Sequence, residues 1–384
     1  MSRSIDKIQD LASFRALKEE WNSLASRFNT PLLRHEWFTA CAESFYPPGE
    51  LSIRVVRENG RIVAIAPLVA IPTYGIRRLE MLGVGILREP SGFLYEDEDS
   101  LRFLIDHLMA ERVPMYLGGL ISDSTDISVL KNTKRQLGVL SHSVQEASPW
   151  IPIDRSREEF EASISSRWRS AFRRAQRRAE ESGRVEFEFV SPTPETLGSY
   201  LPEILQVESA GWKSRTGTAM KTYAPLYSFF RAYTESAARL GMLRLGIMRI
   251  DRKAVAVQLL VDCANRLWIL KVGYDEQYAR CSPGMLLMNW IIGHAFEEGY
   301  SGFEFLGRSE QWLEVWNPEN HYQETIRCYP ISPLTVVSHG IELSTSVYGR
   351  IRTRMTRSGP RAAIATVAKK ITAKVMHPTI HTAR

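Results

Sequence analysis

Residues 267–298 (LWILKVGYDEQYARCSPGMLLMNWIIGHAFEE) hold the densest chemistry in the chain. An apolar strand runs into a polar loop, and a helix starts at Ser282-Pro283-Gly284. Serine ahead of proline at the first helical position is a start signal. The free backbone N–H groups of such a start, together with the helix dipole, form an anion site, and Gly284 lets a phosphate come close. Arg280, four residues earlier, can add a charge-assisted contact. The strand edge beside this site can pair with an extended, amide-rich ligand. An ordinary strand-to-helix turn would use the same residues. Elsewhere the signals are weaker. His294 falls inside the helix, as core histidines do, and His321 lies in a polar loop. Cys281 is a conceivable nucleophile, but nothing near it marks a lowered pKa. Neither a Ser-His-Asp arrangement nor metal-ligand spacing is visible.

The elements that must position these residues read as a mixed α/β chain. In the first half, residues 11–25 and 35–45 are expected helices. Residues 51–57 and 62–70 are strands joined at Glu58-Asn59-Gly60, a hairpin signal. Residues 77–82, 101–109 and 113–117 follow as strand, helix and strand. The second half repeats the order: strand 185–190, helices 195–208 and 223–239, hairpin strands 243–250 and 254–262 across Asp251-Arg252-Lys253, strand 267–273, helix 283–298, and strands 302–306 and 322–329. The hairpins RENGRIVAIAPLVA (57–70) and RIDRKAVAVQLLVD (249–262) align, which suggests an internal duplication.

Between the halves, Ser156-Arg157-Glu158-Glu159 is a capping box. Phe160, Ile164, Trp168 and Phe172 form one apolar stripe on an expected single linker helix. Arg167, Arg169, Arg173, Arg174, Arg177 and Arg178 cover much of the rest, and Gly183 ends it. These arginines make either a solvated face or a surface for phosphates.

Composition sets the bounds. The chain has 384 residues, 44% hydrophobic and 24% charged, enough for two domains. No apolar run reaches the roughly 18–20 residues of a membrane span, and the start lacks the apolar stretch of a signal peptide. Cys41, Cys263, Cys281 and Cys328 form no CxxC pair, which fits a reducing compartment. A cytoplasmic protein is expected. Nine of the +6 chain's Lys and Arg residues fall in 340–384 against one acid, Glu342. Within that tail Ile364, Val367, Ile371 and Val375 share a helical face, so residues 350–375 can lie on an anionic membrane surface, or form a helix docked on their own protein or a partly disordered tail.

Three motifs carry a resemblance: Glu208-Ser-Ala-Gly-Trp212-Lys213; Gly273-Tyr274-Asp275 leading to Ser282-Pro283-Gly284-Met285-Leu286; and Phe303-Glu304-Phe305-Leu306-Gly307. With the element order, they resemble the GNAT superfamily, in particular its CelD-type and FemABX-like members with two tandem lobes. The resemblance implies an α/β fold with a mixed sheet, a degenerate first lobe (1–150), a linker helix (151–184), a second lobe binding acyl-CoA (185–335) and a basic helical tail (336–384). Pantetheine would lie along Ile269, Lys271 and Gly273. The pyrophosphate would meet Arg280, Ser282, Gly284 and Met285. The usual Q/R-x-x-G-x-G/A loop survives only in outline as Arg280-Cys-Ser-Pro-Gly284, and Trp312-Leu313 stands where relatives often carry Tyr-Lys. The implied activity is acyl-CoA-dependent N-acylation without a metal, the amine attacking the thioester directly. Glu208 is the favoured base, with Glu304 and Glu310 in reserve, and Tyr274 the favoured acid. Trp212, Lys213, Asp275 and Arg308 are expected around the acceptor. That acceptor would be a lipid amine of the sphingoid type, or a lipid-linked or amino sugar, at the inner membrane face. The alternatives are FemX-like transfer from aminoacyl-tRNA and a non-catalytic binding protein; nucleic acid is not the expected partner.

Overall fold

The computed structural model describes residues 3–73, 76–133, 138–210 and 223–330. The tail 336–384 and the residues Trp212 and Lys213 lie outside these. The first half runs β1 (Arg3–Ile8), α1 (Leu11–Ala16), α2 (Lys18–Ala25), α3 (His35–Phe45), β2 (Ile53–Glu58), β3 (Arg61–Ala66), β4 (Leu68–Thr73), β5 (Ile76–Met81), α4 (Val84–Leu87), β6 (Leu94–Tyr95), α5 (Glu98–Ala110), β7 (Met115–Ile121), α6 (Thr125–Asn132) and β8 (Gly138–Pro152). It continues through α7 (Arg157–Ser163) and α8 (Ser166–Glu180) into β9 (Val185–Val190), α9 (Pro194–Ser209), α10 (Ala224–Arg239), β10 (Leu243–Ile250), β11 (Lys253–Cys263), β12 (Arg266–Tyr274), α11 (Pro283–Glu297), β13 (Gly302–Glu304) and β14 (Glu319–Pro330).

The hairpins of the two halves match in detail. Asn59 and Gly60 turn the first with positive φ, and Asp251 and Arg252 turn the second in the same way. Such a two-residue turn suits the right-handed twist of paired strands. The pairing also slips by one residue at the same place in both, leaving Val63 and Val255 as bulges half a chain apart.

The sheets, however, do not divide at one chain position. Strands β1, β2, β3 and β6 form a small sheet. The other ten form one mixed sheet in the order β4-β5-β7-β14-β8-β13-β12-β11-β10-β9. Pro67, which has no N–H to donate, separates β3 from β4 as the chain changes sheets. Strand β14, late in the sequence, inserts between β7 and β8.

Two expected helices are broken. Residues 11–25 form α1 and α2, which meet at Leu17 and still share one apolar face through Phe14 and Trp21. The linker is also two helices rather than one. Ser156 and Glu159 form the expected capping box on α7, but Ile164 takes an extended conformation and ends it. The Arg169 guanidinium then donates to the carbonyls of Glu161, Ala162 and Ile164, at 3.2, 3.0 and 2.7 Å. That gathers the unsatisfied helix end. The apolar stripe therefore splits: Phe160 and Ile164 are buried, whereas Trp168 is 37% exposed.

The lobes are joined by aromatic packing between α3 and α10. Trp37 meets Phe229 and Tyr233 edge-on at 5.0 Å each, and Phe45 stacks on Phe229 at 5.3 Å. Edge-on pairs bring the ring edge to the negative face and add to the area buried. Truncating Trp37 to Ala removes both contacts and leaves a cavity in the shared core. The expected cost is about 3–5 kcal/mol of unfolding free energy, read from the denaturant midpoint at unchanged slope.

Candidate functional site

The site begins where β12 and β13 part. They pair in parallel over only three positions, from Arg266 with Gly302 to Trp268 with Glu304. Beyond these β12 runs on to Tyr274, while the chain after β13 stays with β8 through Phe305 N–H to Pro149 O and Ser309 N–H to Ala147 O, both 3.0 Å. Leu306 and Gly307 adopt positive φ of 57° and 60° and turn the chain away. Pairing of β12 with β13 thus ends at Trp268, and the two strands part beyond it. Leu270 is an extra residue against β11, since Lys271 pairs with Leu259 and Ile269 with Leu260, so the strand is bulged at the gap.

A cavity of about 260 Å³ fills the gap. Residues 269–272 form one wall, Met288 of α11 the floor, and residues 305–308 with Trp312 the other wall; Glu89 of the first lobe closes it. The Gly307 N–H donates to Glu89 Oε2 at 2.8 Å. The loop carrying Glu89 lies on β7 at Gly119, where Ser91 N–H donates to Gly119 O at 2.8 Å. A Cβ on Gly119, at φ +75°, would sit 3.0 Å from Glu89 O. Glycine is required there for both conformation and approach.

Glu89 and Lys271 line this cavity, with Glu208 close enough to Lys271 to act on it by its charge. Part of Glu89's surface is accessible, but its carboxylate is enclosed, and that desolvation raises its pKa to about 7 against the pull of the Gly307 amide and Lys271. Desolvation lowers the Lys271 pKa, while Glu208 and Glu89 oppose it by their charge. The Lys271 ammonium also sits over the Phe230 ring at 5.1 Å. Glu208, next to last in α9, is buried at 1% exposure. It rides on Gly273, where a Cβ would come within 2.7 Å of the Glu208 Cα. Gly273 is therefore the close approach that lets α9 settle on β12.

The helix start expected to hold an anion lies at the far end of β12. Ser282 precedes α11 in a left-handed conformation (φ 48°, ψ 53°), Pro283 follows, and no side chain among the described residues caps the helix. The amides of Met285 and Leu286 both donate to the Ser282 carbonyl. Gly284 faces the Tyr274 ring: a Cβ added to this glycine would lie 3.3 Å from it, so the missing side chain also accommodates the ring. Arg178 of α8 donates to the Arg280 carbonyl at 3.3 Å, which sets the arginine face of α8 beside this turn. The Arg280 side chain is exposed.

Other candidates sit elsewhere. Asp275 accepts from Lys253 at 2.9 Å and from the Gln277 amide at 3.0 Å, so it caps the turn Glu276–Cys281. Glu304 is buried on the pairing side of β13, taking Arg266 at 2.9 Å with His321 at 3.5 Å. Arg308 is exposed at the cavity mouth, and Glu310 accepts from Trp312 at 2.5 Å. His294 stacks on Trp290 and meets Phe189 at a tilt. Burial raises the Cys281 thiol pKa, the opposite of nucleophile activation. Residues Ile269, Lys271, Gly273 and Glu208 are thus brought together, with Tyr274, Ser282, Gly284 and Met285 at the strand's end, whereas Glu304 and Asp275 stand apart. Glu89 carries no motif and is not among the expected residues; only its long-range contact reveals it. Among the described residues no helix is long and apolar enough to cross a membrane.

The family model for the acetyltransferase (GNAT) domain matches residues 166–314. No curated protein sequence matches the chain. Among solved structures, FemX is 13% identical with a TM-score of 0.56, covering 86% of this chain and 98% of its own. The C-terminal domain of a putative lysylphosphatidylglycerol synthetase from Agrobacterium fabrum is 12% identical with a TM-score of 0.54, covering 84% and 94%. L-PGS from Bacillus licheniformis is 12% identical with a TM-score of 0.53, covering 86% and 95%. At these identities the likeness is one of fold. The parting strands, the bulge and the uncapped helix all fall inside the segment 166–314 that matches the GNAT acetyltransferase domain, and the neighbours share the fold of that segment and of the rest of the chain.

Proposed function

We propose that the chain is an acyl-CoA-dependent N-acyltransferase. The observation that carries this reading is the parting of β12 from β13 after Trp268, which opens a cleft leading from the cavity to an uncapped helix start flanked by arginines. An extended pantetheine can pair with β12 along Ile269, Lys271 and Gly273 as an added strand does. Its pyrophosphate would meet Ser282, Gly284, Met285 and Arg280 at the positive end of α11. The thioester then reaches the cavity. There the acceptor nitrogen attacks the carbonyl carbon, the C–N bond forms, the C–S bond breaks and the thiolate takes a proton, for which Tyr274 is the candidate donor. Glu208 and Glu89 are the carboxylates available as base, with Trp212, Lys213, Asp275 and Arg308 assigned to the acceptor side. The first lobe (1–150) would shape that side and residues 185–335 would hold the donor, in a cytoplasmic protein that residues 350–375 bring to the inner membrane. A lipid amine or a lipid-linked or amino sugar is the acceptor class in view.

A second reading, aminoacyl transfer from tRNA, draws on the exposed arginines 167, 173, 174 and 177 of α8 and on the names of the FemX and lysylphosphatidylglycerol synthetase neighbours. Thiol release from a panel of acyl-CoAs with pooled amines, followed by product mass, separates the two. Thioester-dependent amide that survives ribonuclease is expected. Product that needs charged tRNA and vanishes with ribonuclease sinks the CoA reading. Absence of both product and CoA binding by calorimetry would leave only a non-catalytic fold.

Gly273→Ala forces a Cβ onto the Glu208 backbone, so α9 or β12 must shift. The expected outcome is a loss of about 1–3 kcal/mol in stability and a fall in kcat, measured by thermal melting and thiol release on the same preparation.

A further inference from the structure

A second cavity, of about 670 Å³, opens on the first lobe's side of the donor cleft. Gly307 and Arg308 line both cavities, so the two adjoin at that turn. Arg88 and Arg308 lie in its walls, and no carboxylate side chain among the described residues does. Behind them the Tyr116 ring carries Arg78 at 5.1 Å and Arg327 at 4.9 Å, of which Arg78 is already paired with Glu80. A concave surface lined by Arg88 and Arg308, with no carboxylate among its described lining residues, favours an anionic guest, which a guanidinium such as that of Arg88 can grip bidentately. Glu89 stands where the cavities meet: its carboxylate closes the donor cleft, and its neighbour Arg88 lines the second cavity.

Resting on the acyl-transfer reading, we propose that this second cavity admits the acceptor, a primary amine that also bears a carboxylate or phosphate, and that Glu89 is the base that takes its proton. The acceptor enters as an ammonium and gives one proton to the Glu89 carboxylate. Its lone pair then attacks the thioester carbonyl; the C–N bond forms, the C–S bond breaks, and the second nitrogen proton goes to the departing thiolate. Glu208 lines neither cavity. It becomes a positioning residue whose charge acts on Lys271. A base works best with a pKa near the working pH, and that of Glu89, about 7, meets the condition. The charged groups facing it are Lys271 on β12, with Glu208 behind it on α9, Arg308 and Glu310 beyond β13, and Arg88 on its own loop. Of the acceptors expected from sequence, a phosphate-bearing amino sugar suits these arginines better than a sphingoid base, whose only charge is positive.

The test compares matched amines, phosphoethanolamine against ethanolamine and an ω-amino acid against the alkylamine of equal length, with an acyl-CoA donor. Thiol release gives kcat and KM from about pH 5.5 to 9, a range that spans the expected titration of the base. The anionic amines should be preferred by about tenfold or more through KM, and Arg88→Ala should erase the preference. Glu89→Gln keeps an oxygen for the Gly307 N–H, so the fold should hold. It should lower kcat by about 10²–10⁴-fold and remove the loss of activity below pH about 7, while Glu208→Gln keeps that limb. In the free protein, infrared titration should show two carboxyls changing near pH 7, Glu89 and Asp126, the latter raised by burial to about 7. Only the Asp126 signal should remain in Glu89→Gln. An unchanged rate and acid limb in Glu89→Gln, or the limb shifting in Glu208→Gln instead, overturns the base. Equal use of neutral amines overturns the acceptor class. A wild-type protein that acylates no amine at all defeats the acyl-transfer reading and this inference with it.

Discussion

The hydrogen bond from Gly307 to Glu89 joins segments 218 residues apart, and the open cleft depends on it. Strand β13 could only stay beside β12 by continuing its parallel register. Instead the chain passes through two left-handed residues, Leu306 and Gly307. For Leu306 such a conformation costs of order 1–3 kcal/mol. A hydrogen bond to a carboxylate contributes about 1.5–3 kcal/mol, enough to offset it, and the bonds from Phe305 and Ser309 to β8 hold the rest of the segment. The gap is therefore maintained by the first lobe, although the gap itself belongs to the second.

The same contact explains the electrostatics. A carboxylate placed to accept from Gly307 must sit between the lobes, where water is scarce, and its charged form is disfavoured. Lys271 lies close enough to compensate but is itself desolvated. Glu89 and Lys271 share a space too dry for both to be comfortably charged. A carboxyl raised to near neutral pH beside a desolvated ammonium is the property an acid–base site needs. Gly273 sets its geometry by allowing Glu208 to approach β12, so one missing side chain fixes the distance between α9 and the strand.

Much of this is legible in the chain. The Ser282-Pro283-Gly284 start, the run of 267–273 and both hairpins are local signals, written in residue types whose backbone preferences survive any context. Glu89 is not legible, because nothing within its own loop distinguishes it from a surface glutamate; a partner in the other half gives it its role. Strand β8 escapes a sequence reading for a related reason. Its sequence, GVLSHSVQEASPWIP, has little apolar alternation, and it is a strand because β13 and β14 flank it. The linker differs: its four-residue periodicity is real, but Arg169 stabilises a break that periodicity cannot register.

The matching hairpins pose a sharper question for the proposed reading: why would one lobe hold a donor and the other not? The hairpins are alike down to their bulges, so the difference must lie after them. In the second lobe the helix following the third strand of the small motif, α11, starts with no side-chain cap and no acid in its first turn. Its counterpart α5 starts after Glu96, with Asp97 accepting the Ser100 amide at 2.8 Å and with Glu98 and Asp99 in the first turn. A carboxylate from the chain itself already occupies the positive end of that helix, and two more would repel a phosphate. Strand β6, which would have to carry the donor, is only two residues long and lies in a different sheet from β7. With its own anion site filled from within, the first lobe has no place for a pyrophosphate. What it offers the shared cleft is a side wall, Arg88 and Glu89.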